Sequence, residues 1–263
     1  MKLAIIGAGN MGGALARGLS RAAAFPTGNL YVANPSPGKL EVLDEDCPGI
    51  HTTTDNVEAV RAADWILLAV KPWKVKEVLE ELKPVMDYGR QVVLSVAAGI
   101  GTADLGKMLE KDGNRPPVFY VMPNTAVAVG EGMVLCTSAG ASGALVKDVL
   151  DLFALTGKSL YLEERLMAAG MMLSGCGIAY AMRYIRAAQE GGVEMGLYPK
   201  DALEIVLQTV KGAAELLLST GNHPETEIDK VTTPGGLTIK GLNEMEHSGF
   251  TSAVVRGLKA GLN

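Results

Sequence analysis

The sequence predicts an α/β fold in which a doubly wound parallel sheet is followed by an all-helical second domain. Three observations predict it. Short apolar runs alternate with helix-like segments through residues 1–162, a glycine-rich segment directly follows the first run, and only helical patterning is found from residue 163 onward. We therefore expect domains at 1–162 and 163–263, in keeping with 263 residues in total and roughly 150 residues per domain.

Strands are expected where an apolar run shows no polar alternation, because the strands of a parallel sheet are buried on both faces. The expected strands are Leu3–Ile6, Leu30–Ala33, Trp65–Val70, Gln91–Val96, Val118–Val121, Gly132–Cys136 and Ser159–Leu162. Helices are expected between them, where apolar residues recur at helical spacing. The expected helices are Met11–Ala23, Lys39–Leu43, Val75–Leu82, Thr102–Leu109 and Ala144–Phe153.

The second domain is expected to contain helices alone. Its helical segments are Glu163–Met172, Ile178–Gly191, Asp201–Ser219 and Ile239–Glu246. The apolar residues of Asp201–Ser219 occupy more than one narrow stripe, and a helix of this kind is usually buried on several sides. A partner subunit would cover these faces in a homodimer; packing against the first domain is the alternative.

Composition and charge exclude several classes of protein. Apolar residues make up 48% and charged residues 20% of the chain, which excludes a disordered protein. The net charge of −5 offers no basic field for a phosphate backbone, so no nucleic-acid partner is expected. The longest uninterrupted apolar run, Trp65–Val70, is far shorter than the roughly 20 residues that cross a bilayer, so no membrane segment is expected.

Cysteine and histidine usage predicts a cytoplasmic protein without a metal site. Cys47, Cys136 and Cys176 form no Cys-x-x-Cys pair, and their odd number argues against a disulfide framework. The histidines are also isolated, and no spacing suits zinc. The apolar segment at the N-terminus is too short for a signal peptide. We therefore expect no bound metal and a cytoplasmic location.

The segment Gly7-Ala8-Gly9-Asn10-Met11-Gly12 predicts a dinucleotide site. It lies between the first expected strand and the first expected helix, and this context gives an otherwise weak motif its meaning. Gly7 permits the tight turn, Gly9 lets a pyrophosphate approach the backbone, and Gly12 lets helix and strand pack closely. The helix N-terminus adds N–H donors for the phosphates. These features indicate a Rossmann-type domain; a tight strand-to-helix turn without a ligand is the alternative.

The end of the second strand predicts which cofactor is used. An NAD site places Asp or Glu there to accept a hydrogen bond from the ribose 2′-hydroxyl, whereas this chain has Asn34 and Ser36, with Lys39 just beyond. No carboxylate would repel a 2′-phosphate, the side chains of Asn34 and Ser36 can donate hydrogen bonds, and Lys39 adds positive charge. NADPH is therefore favoured, with NADH left open as a second cofactor.

Two further strand ends are expected to border the same site, because ligands of open α/β sheets bind outside the carboxyl ends of strands. The strand Trp65–Val70 leads into Lys71 and Pro72, and the strand Gln91–Val96 leads into small residues from Ala97 onward. Small residues at these ends let a nicotinamide ribose lie against the backbone. Lys71 has an alternative interpretation as an ordinary surface lysine.

The segment Thr232-Thr233-Pro234-Gly235-Gly236-Leu237-Thr238 predicts an anion site in the second domain. Two glycines beside hydroxyl residues, followed by the expected helix Ile239–Glu246, give a nest of backbone N–H groups at a helix N-terminus. Such a nest binds a carboxylate without a cationic side chain. A helix start capped by Ser or Thr after a turn is the alternative.

Together these segments resemble the pyrroline-5-carboxylate reductase family. The resemblance covers essentially the whole chain and is most specific in the Pro-Gly-Gly-x-Thr segment and the glycine-rich residues 191–197. The segments that carry it are Gly7–Gly12, Ala69–Pro72, Ser95–Gly99, Met122–Thr125, Ser174–Gly177, Gly191–Val193, Met195–Leu197 and Thr232–Thr238.

The resemblance implies a Rossmann domain followed by a helical dimerisation domain, with two subunits interleaved and dimers assembled further into decamers. It also implies NADPH-dependent reduction of the cyclic imine 1-pyrroline-5-carboxylate to L-proline, the last step of proline biosynthesis, and leaves NADH open as a second donor. The implied cofactor-binding residues are Gly7, Ala8, Gly9, Asn10, Met11, Gly12, Asn34, Ser36, Asn56, Ala69, Val70, Lys71, Pro72, Ser95, Val96 and Ala97. The implied substrate-binding residues are Gly235, Gly236, Leu237 and Thr238.

Thr238 is the expected catalytic residue, with its hydroxyl hydrogen-bonded to the imine or amine nitrogen of the substrate. A protonated imine is already a strong electrophile, so the expected task of the protein is chiefly placement of substrate and cofactor. This expectation fits a sequence in which no convincing Ser-His-Asp, Cys-His or paired-carboxylate arrangement is found.

Several positions depart from the family pattern. Cys176 replaces the second serine of the family's Ser-Gly-Ser-Gly-Pro-Ala-Tyr segment and Ile178 replaces its proline, which removes a hydroxyl and a rigid helix start. Leu237 stands where a small residue or Thr is usual, and Ala126 stands where Pro often follows Asn-Thr. Leu237 would narrow the ring pocket, so another cyclic imine stays open as the substrate.

Two further functions stay open. A β-hydroxy acid reductase with the same two-domain layout would place a catalytic lysine on a helix of the second domain, but Lys200, Lys211 and Lys230 have no companion motif. A nucleotide-sensing or assembly protein that has lost turnover is supported only by the departures at positions 176, 178 and 237.

Overall fold

The computed structural model describes residues 1–262. Within them the chain divides into two compact units, the first formed by Met1–Gly175 and the second by the residues from Cys176 onward. The first unit contains all strands of the described chain, and the second is built from helices. The two predicted classes of structure are therefore both present, in the predicted order.

The first unit is built on a sheet of eight strands, ordered β3-β2-β1-β4-β5-β6-β7-β8. The strands are β1 (Leu3–Ile6), β2 (Leu30–Ala33), β3 (His51–Thr53), β4 (Trp65–Leu68), β5 (Val92–Ser95), β6 (Val118–Pro123), β7 (Gly132–Ala139) and β8 (Gly157–Tyr161). Neighbouring strands are parallel except β6 and β7, which are antiparallel. The predicted parallel pairing is thus confirmed for every neighbouring pair but one and wrong between β6 and β7, because only residues 124–131 join these two strands, fewer than a parallel crossover needs.

Helices cover both faces of this sheet, as a doubly wound fold requires. The helices of the first unit are α1 (Asn10–Arg21), α2 (Pro37–Asp46), α3 (Asn56–Ala62), α4 (Val75–Leu82), α5 (Thr102–Leu109), α6 (Gly143–Ala154) and α7 (Met167–Met171). Alternate residues of β1 belong to two different cores: Leu3 and Ile5 pack with α1 and α6, whereas Ala4 and Ile6 pack with α3, α4 and α5. Burial on both faces explains why the strands read as continuous apolar runs.

Strand β3 and helix α3 were not predicted. Residues His51–Thr53 are polar and only partly buried, so they give no apolar run. Helix α3 begins after Asp55, whose carboxylate accepts hydrogen bonds from the N–H groups of Val57 and Glu58. The pair Asp55 and Glu58 has the spacing of a helix-capping sequence, and this signal would have located the helix.

The compact units divide later than the predicted boundary at 162/163. The chain changes from sheet to helix at the predicted place, but Met167 is buried against Tyr120 and Leu135 of the sheet. Residues 164–175 therefore belong to the first compact unit. The predicted boundary between 1–162 and 163–263 matches the place where strands give way to helices. That these two ranges are independent domains stays a prediction.

The second unit contains only helices among its described residues, as predicted. They are α8 (Gly177–Glu194), α9 (Pro199–Thr220), α10 (Pro224–Lys230), α11 (Leu237–His247) and α12 (Phe250–Ala260), of which α10 and α12 were not predicted. Helices α8 and α9 approach closely at Gly192, where an added Cβ would lie 3.0 Å from the Cβ of Ala202. Ala202 is the one buried residue of the 22 in α9, so this unit leaves the apolar faces of α9 exposed.

One helical stretch, Glu164–Glu194, is long and apolar enough to cross a membrane by length and composition alone, with a mean hydropathy of 1.2. The sequence-based expectation considered only uninterrupted apolar runs and therefore passed over it. A single helix of this kind is weak evidence, because a core helix of a soluble protein meets the same test. The absence of a membrane segment stays a prediction.

Candidate functional site

The turn between β1 and α1 uses each of its glycines for a different physical reason. Gly7 has φ +111°, and an added Cβ would lie 2.6 Å from the carbonyl oxygen of Ala69 at the end of β4. A Cβ on Gly12 would overlap the carbonyl oxygen of Gly7. A Cβ on Gly9 would meet nothing within 4 Å, so Gly9 leaves open space over the backbone. This is the division of roles that a dinucleotide turn requires.

Asn34 holds the glycine turn from the end of β2. Its side chain is buried, its Oδ1 accepts a hydrogen bond from the N–H of Ala8 at 3.0 Å, and its Nδ2 donates to the main-chain oxygen of Ser36 at 3.1 Å. One N–H of the amide that was expected to donate to a 2′-phosphate is therefore engaged within the protein. Asn34 thereby shapes the turn, and because its Nδ2 carries a second N–H, the donation to a 2′-phosphate stays a prediction.

A cavity of about 760 Å³ opens at the carboxyl edge of the sheet, directly over this turn. Its wall combines the glycine turn with residues that follow β2, β3, β4 and β5. The predicted cofactor-binding residues that line it are Gly7, Gly9, Asn10, Met11, Asn34, Asn56, Ala69, Val70, Lys71, Pro72, Val96 and Ala97. Sequence positions spread over the first 97 residues are thus brought into one cavity.

Four predicted residues do not line the cavity. Ala8 and Gly12 belong to the glycine segment but are buried, and Ser95 is fully buried, where its Oγ accepts a hydrogen bond from the N–H of Ala97 at 3.2 Å. Ser36 is exposed at the start of α2. The structure therefore places Ala8, Gly12 and Ser95 as supports of the wall, and it brings Ser36 near the site only through its neighbour Pro35.

Part of the wall comes from residues that sequence reasoning missed. Helix α4 and the segment before it contribute Lys74, Glu77, Val78 and Glu81. Thr54 contributes from the end of β3. The helical spacing of α4 was recognised, but spacing alone does not say which face of a helix borders a ligand, so its polar face was taken as ordinary surface.

The loop after β5 forms the end of the cavity that was expected to hold the nicotinamide. The N–H of Gly99, which has φ +82°, lies 3.5 Å from the hydroxyl of Tyr120. The carboxylate of Glu164 accepts hydrogen bonds from the main-chain N–H and the hydroxyl of Thr102 at the start of α5. Burial raises the pKa of Tyr120 above its ordinary value, so this hydroxyl stays protonated and neutral at physiological pH. The loop is thereby fixed on both sides of Ala98, which lines the cavity.

The predicted anion site in the second unit lies at the N-terminus of α11. Gly235 has φ +70°, and the N–H of Gly236 donates to the carbonyl oxygen of Thr233 at 2.9 Å. Among the described residues no side chain caps this helix, so the alternative of a Ser- or Thr-capped start is wrong. The first N–H groups of α11 are left for another acceptor. Leu237 is 88% exposed, and Thr238 is exposed beside it.

The segment Ser174–Gly177, which departs from the family pattern, forms a distinct local structure. Residues Met172–Cys176 form a π-helical turn that leads directly into α8. Because Ile178 replaces the family's proline, its N–H is free to take part in a continuous helix here. Cys176 is a free, half-buried thiol.

Within residues 1–262 no group of three or more His, Cys, Asp or Glu side chains is placed to hold a metal ion. A metal ion can also be bound by fewer than three of these side chains, so the expectation of no bound metal stays a prediction. The chemical resources of the cavity are main-chain N–H groups, small and amide side chains, the lysines Lys39, Lys71 and Lys74, and the carboxylates of Glu77 and Glu81. Such a lining can bind a phosphorylated, partly apolar ligand but contains no nucleophile placed beside a base.

Comparisons with known proteins agree with the two-part architecture. Residues 164–263 match the family described as pyrroline-5-carboxylate reductase dimerisation, and residues 2–99 match the family described as NADP oxidoreductase coenzyme F420-dependent. The first region covers the helical part of the chain, and the second covers β1 to β5 and the glycine turn.

Individual relatives match nearly the whole chain. Pyrroline-5-carboxylate reductase 1 of Dictyostelium discoideum is 36% identical over 97% of this chain, which spans 48% of that protein's length. Pyrroline-5-carboxylate reductase of Methanosarcina acetivorans is 36% identical over 97% of this chain and 94% of its own. The crystal structure of Plasmodium falciparum pyrroline carboxylate reductase with NADP bound is 30% identical, with a TM-score of 0.86 over 99% of this chain and 95% of its own.

Proposed function

The chain belongs to the pyrroline-5-carboxylate reductase family, and we propose that it reduces 1-pyrroline-5-carboxylate to L-proline with NADPH, and also with NADH. The observation that carries the proposal is the cavity over the glycine turn, in a chain that matches reductases of this name along nearly its whole length. The reaction would be the last step of proline biosynthesis, and the substrate is an imine that carries a carboxylate.

The cavity fits a nicotinamide dinucleotide on its own features. Gly9 leaves space over the backbone, the first N–H groups of α1 point to the same place, and the wall extends from Thr54 to Ala98 along the sheet edge. When bound, the dihydronicotinamide supplies a hydride to the C=N carbon while the π electrons of that bond move to nitrogen. The chain holds the pyrophosphate at Gly7–Gly12 and gives the ring a wall at Val96–Ala98. Placement of this kind is worth about 7–11 kcal/mol of the barrier.

We propose that the substrate is held by Gly235, Gly236, Leu237 and Thr238. The uncapped N–H groups at the start of α11 suit the substrate carboxylate. The hydroxyl of Thr238 accepts a hydrogen bond from the protonated ring nitrogen and keeps the C=N bond in a fixed orientation. Leu237, which differs from the small residue or Thr usual in the family, has an exposed side chain next to the proposed carboxylate site. This side chain would limit the size of the substrate ring that fits there.

The proposed function is tested by following the loss of NADPH and NADH absorbance with purified protein. Two imine carboxylates are compared, 1-pyrroline-5-carboxylate and its six-membered analogue. We expect oxidation of both cofactors with the five-membered imine and a lower kcat/KM with the six-membered one. A higher kcat/KM with the six-membered ring would make another cyclic imine the substrate. Cofactor binding without oxidation by either imine would favour a nucleotide-sensing protein.

A substitution at Ser36 is expected to separate the two cofactors. Ser36→Glu places a carboxylate beside Pro35, which lines the cavity after β2, where a dinucleotide site holds the adenosine ribose. The kcat/KM for NADPH should therefore fall roughly ten-fold more than that for NADH. The bond from Asn34 to the main chain of residue 36 is kept in this variant. The neutral variant Ser36→Gln, which has nearly the same size, is the control. Equal losses with both cofactors would remove position 36 from recognition of the 2′-phosphate.

We propose that two chains form a homodimer through their helical regions, and that dimers assemble further into decamers. The match to the dimerisation family over residues 164–263 supports association. The exposed apolar side chains of α9 support it as well, since Ile205 and Leu216 are each more than half exposed and a large exposed apolar surface marks an interface.

We propose a cytoplasmic location with no membrane and no nucleic-acid partner. The net charge of −5 gives no general attraction to polyanions. Cys47 and Cys136 are both buried as free thiols, and burial raises the pKa of Cys136 to about 12. Cysteines that remain free thiols rather than forming disulfides are typical of a reducing compartment.

A further inference from the structure

The cavity has an identifiable ribose end. In a sheet entered by a glycine-rich turn after β1, the residues after β2 lie at the adenosine ribose. In the sheet order, β4 and β5 lie on one side of β1, whereas β3 lies next to β2 on the other side of β1. The residues that line the cavity beyond β2 on this side are Thr54 and Asn56, which follow β3. The ribose end therefore comprises Asn34, Lys39, Thr54 and Asn56.

A carboxylate from α4 reaches into this end. Glu81 lines the same cavity, and its Oε2 accepts a hydrogen bond from Nδ2 of Asn56 at 3.0 Å. The neighbouring acid, Glu77, is neutralised by Lys74, whose Nζ lies 2.8 Å from its carboxylate. Among residues 1–262 no Lys or Arg forms an ion pair with Glu81. Glu81 thus contributes an uncompensated negative charge.

The hydrogen-bonded pair of Asn56 and Glu81 is expected to attract the ribose 2′-hydroxyl of NADH and to repel the 2′-phosphate of NADPH. A 2′-hydroxyl can donate a hydrogen bond to the carboxylate of Glu81, as it does to the acid that NAD sites place after the second strand. A 2′-phosphate carries about −1.5 to −2 charges and is repelled by the same carboxylate. One of the two N–H donors of the Asn56 amide is also directed to Glu81 rather than to the phosphate. Lys39 acts in the opposite sense, since its cation attracts the phosphate.

We propose that Glu81, positioned by Asn56, is a specificity-determining residue that limits the preference for NADPH and allows NADH to serve. The inference rests on the proposed reductase function, because it concerns the cofactor site of that reaction. It supplies from α4 the carboxylate that is missing after β2. The chain thereby balances Lys39, which favours the 2′-phosphate, against Glu81, which favours the 2′-hydroxyl.

The test compares Glu81→Gln with Glu80→Gln. Both variants remove one negative charge from α4, but Glu80 does not line the cavity and pairs with Lys76 at 3.9 Å. For Glu81→Gln we expect the ratio of kcat/KM for NADPH to that for NADH to rise roughly three- to ten-fold at low ionic strength. For Glu80→Gln we expect that ratio to stay within about two-fold of the wild type. Asn56 keeps a hydrogen-bond acceptor in Glu81→Gln, so its position is maintained.

The same variants are also titrated with NADP⁺ and NAD⁺ by calorimetry, which needs no imine. An unchanged NADP⁺ to NAD⁺ affinity ratio in Glu81→Gln, or an equal change in Glu80→Gln, would overturn the role of Glu81. Failure of the wild type to reduce any imine would instead contradict the proposed function, and the binding ratio would still decide the role of Glu81.

Discussion

The Gly12→Ala variant is expected to lose both stability and cofactor binding. The added methyl group would overlap the carbonyl oxygen of Gly7 and lie 3.0 Å from the Cβ of Ala69. Helix α1 must therefore move away from the turn and from the end of β4. Overpacking against backbone costs about 3 kcal/mol or more here, which exceeds the gain of roughly 1 kcal/mol from replacing a helical glycine. The measurements are the free energy of unfolding in urea and the Kd for NADP⁺.

The control for Gly12→Ala is Gly9→Ala, which makes the same chemical change three residues earlier. Gly9 has φ −76°, which alanine adopts without strain, and the added methyl would meet nothing within 4 Å. This variant should fold like the wild type, yet bind NADP⁺ at least about ten-fold more weakly, since the methyl occupies the space proposed for the pyrophosphate. Wild-type affinity in Gly9→Ala would place the pyrophosphate elsewhere.

The second large effect is expected at Thr238. In Thr238→Ala we expect kcat/KM for the imine to fall about 10- to 100-fold, because the protonated nitrogen loses a hydrogen-bond partner and such a bond to a charged group is worth about 1.5–3 kcal/mol. The Kd for NADPH, measured without imine, should stay the same. Thr238 is exposed at the first turn of α11, so the free energy of unfolding should change little.

Thr238→Ser is the control at that position, because it keeps the hydroxyl and removes only a methyl group. We expect it to retain most of the wild-type kcat/KM. If Thr238→Ala turned over the imine like the wild type, Thr238 would have no part in the reaction. If Thr238→Ser lost as much activity as Thr238→Ala, the methyl group rather than the hydroxyl would be the important feature.

The parts of the fold that sequence reasoning predicted are those with a strong local signal. The strands that form β1 and β2 are apolar throughout because both faces are buried, and their bounds were predicted to the residue. Strand β3 is short and polar and gives no such signal. The antiparallel direction of β7 follows from the short connection after β6, a signal that was present in the sequence but was not used, since the apolar run Gly132–Cys136 contains no information on direction.

The candidate site was predicted best where backbone conformation restricts the residue type. Gly7 and Gly12 could be assigned because no other residue fits the turn. Polar residues were harder, since a side chain that can donate to a phosphate can also bond within the protein, as Asn34 does. Glu81 was missed for a related reason: its position over the cavity depends on how α4 packs on the sheet, which helical spacing does not specify.

The central claim, direct reduction of the imine by the bound dinucleotide, is tested most directly with NADPH that carries deuterium at both C4 positions. The purified protein is incubated with this cofactor and 1-pyrroline-5-carboxylate, and the product is analysed by mass spectrometry. The account predicts L-proline that is one mass unit heavier, with the deuterium on the ring carbon that was double-bonded to nitrogen. Unlabelled proline, or no proline from protein that binds the cofactor, would contradict it.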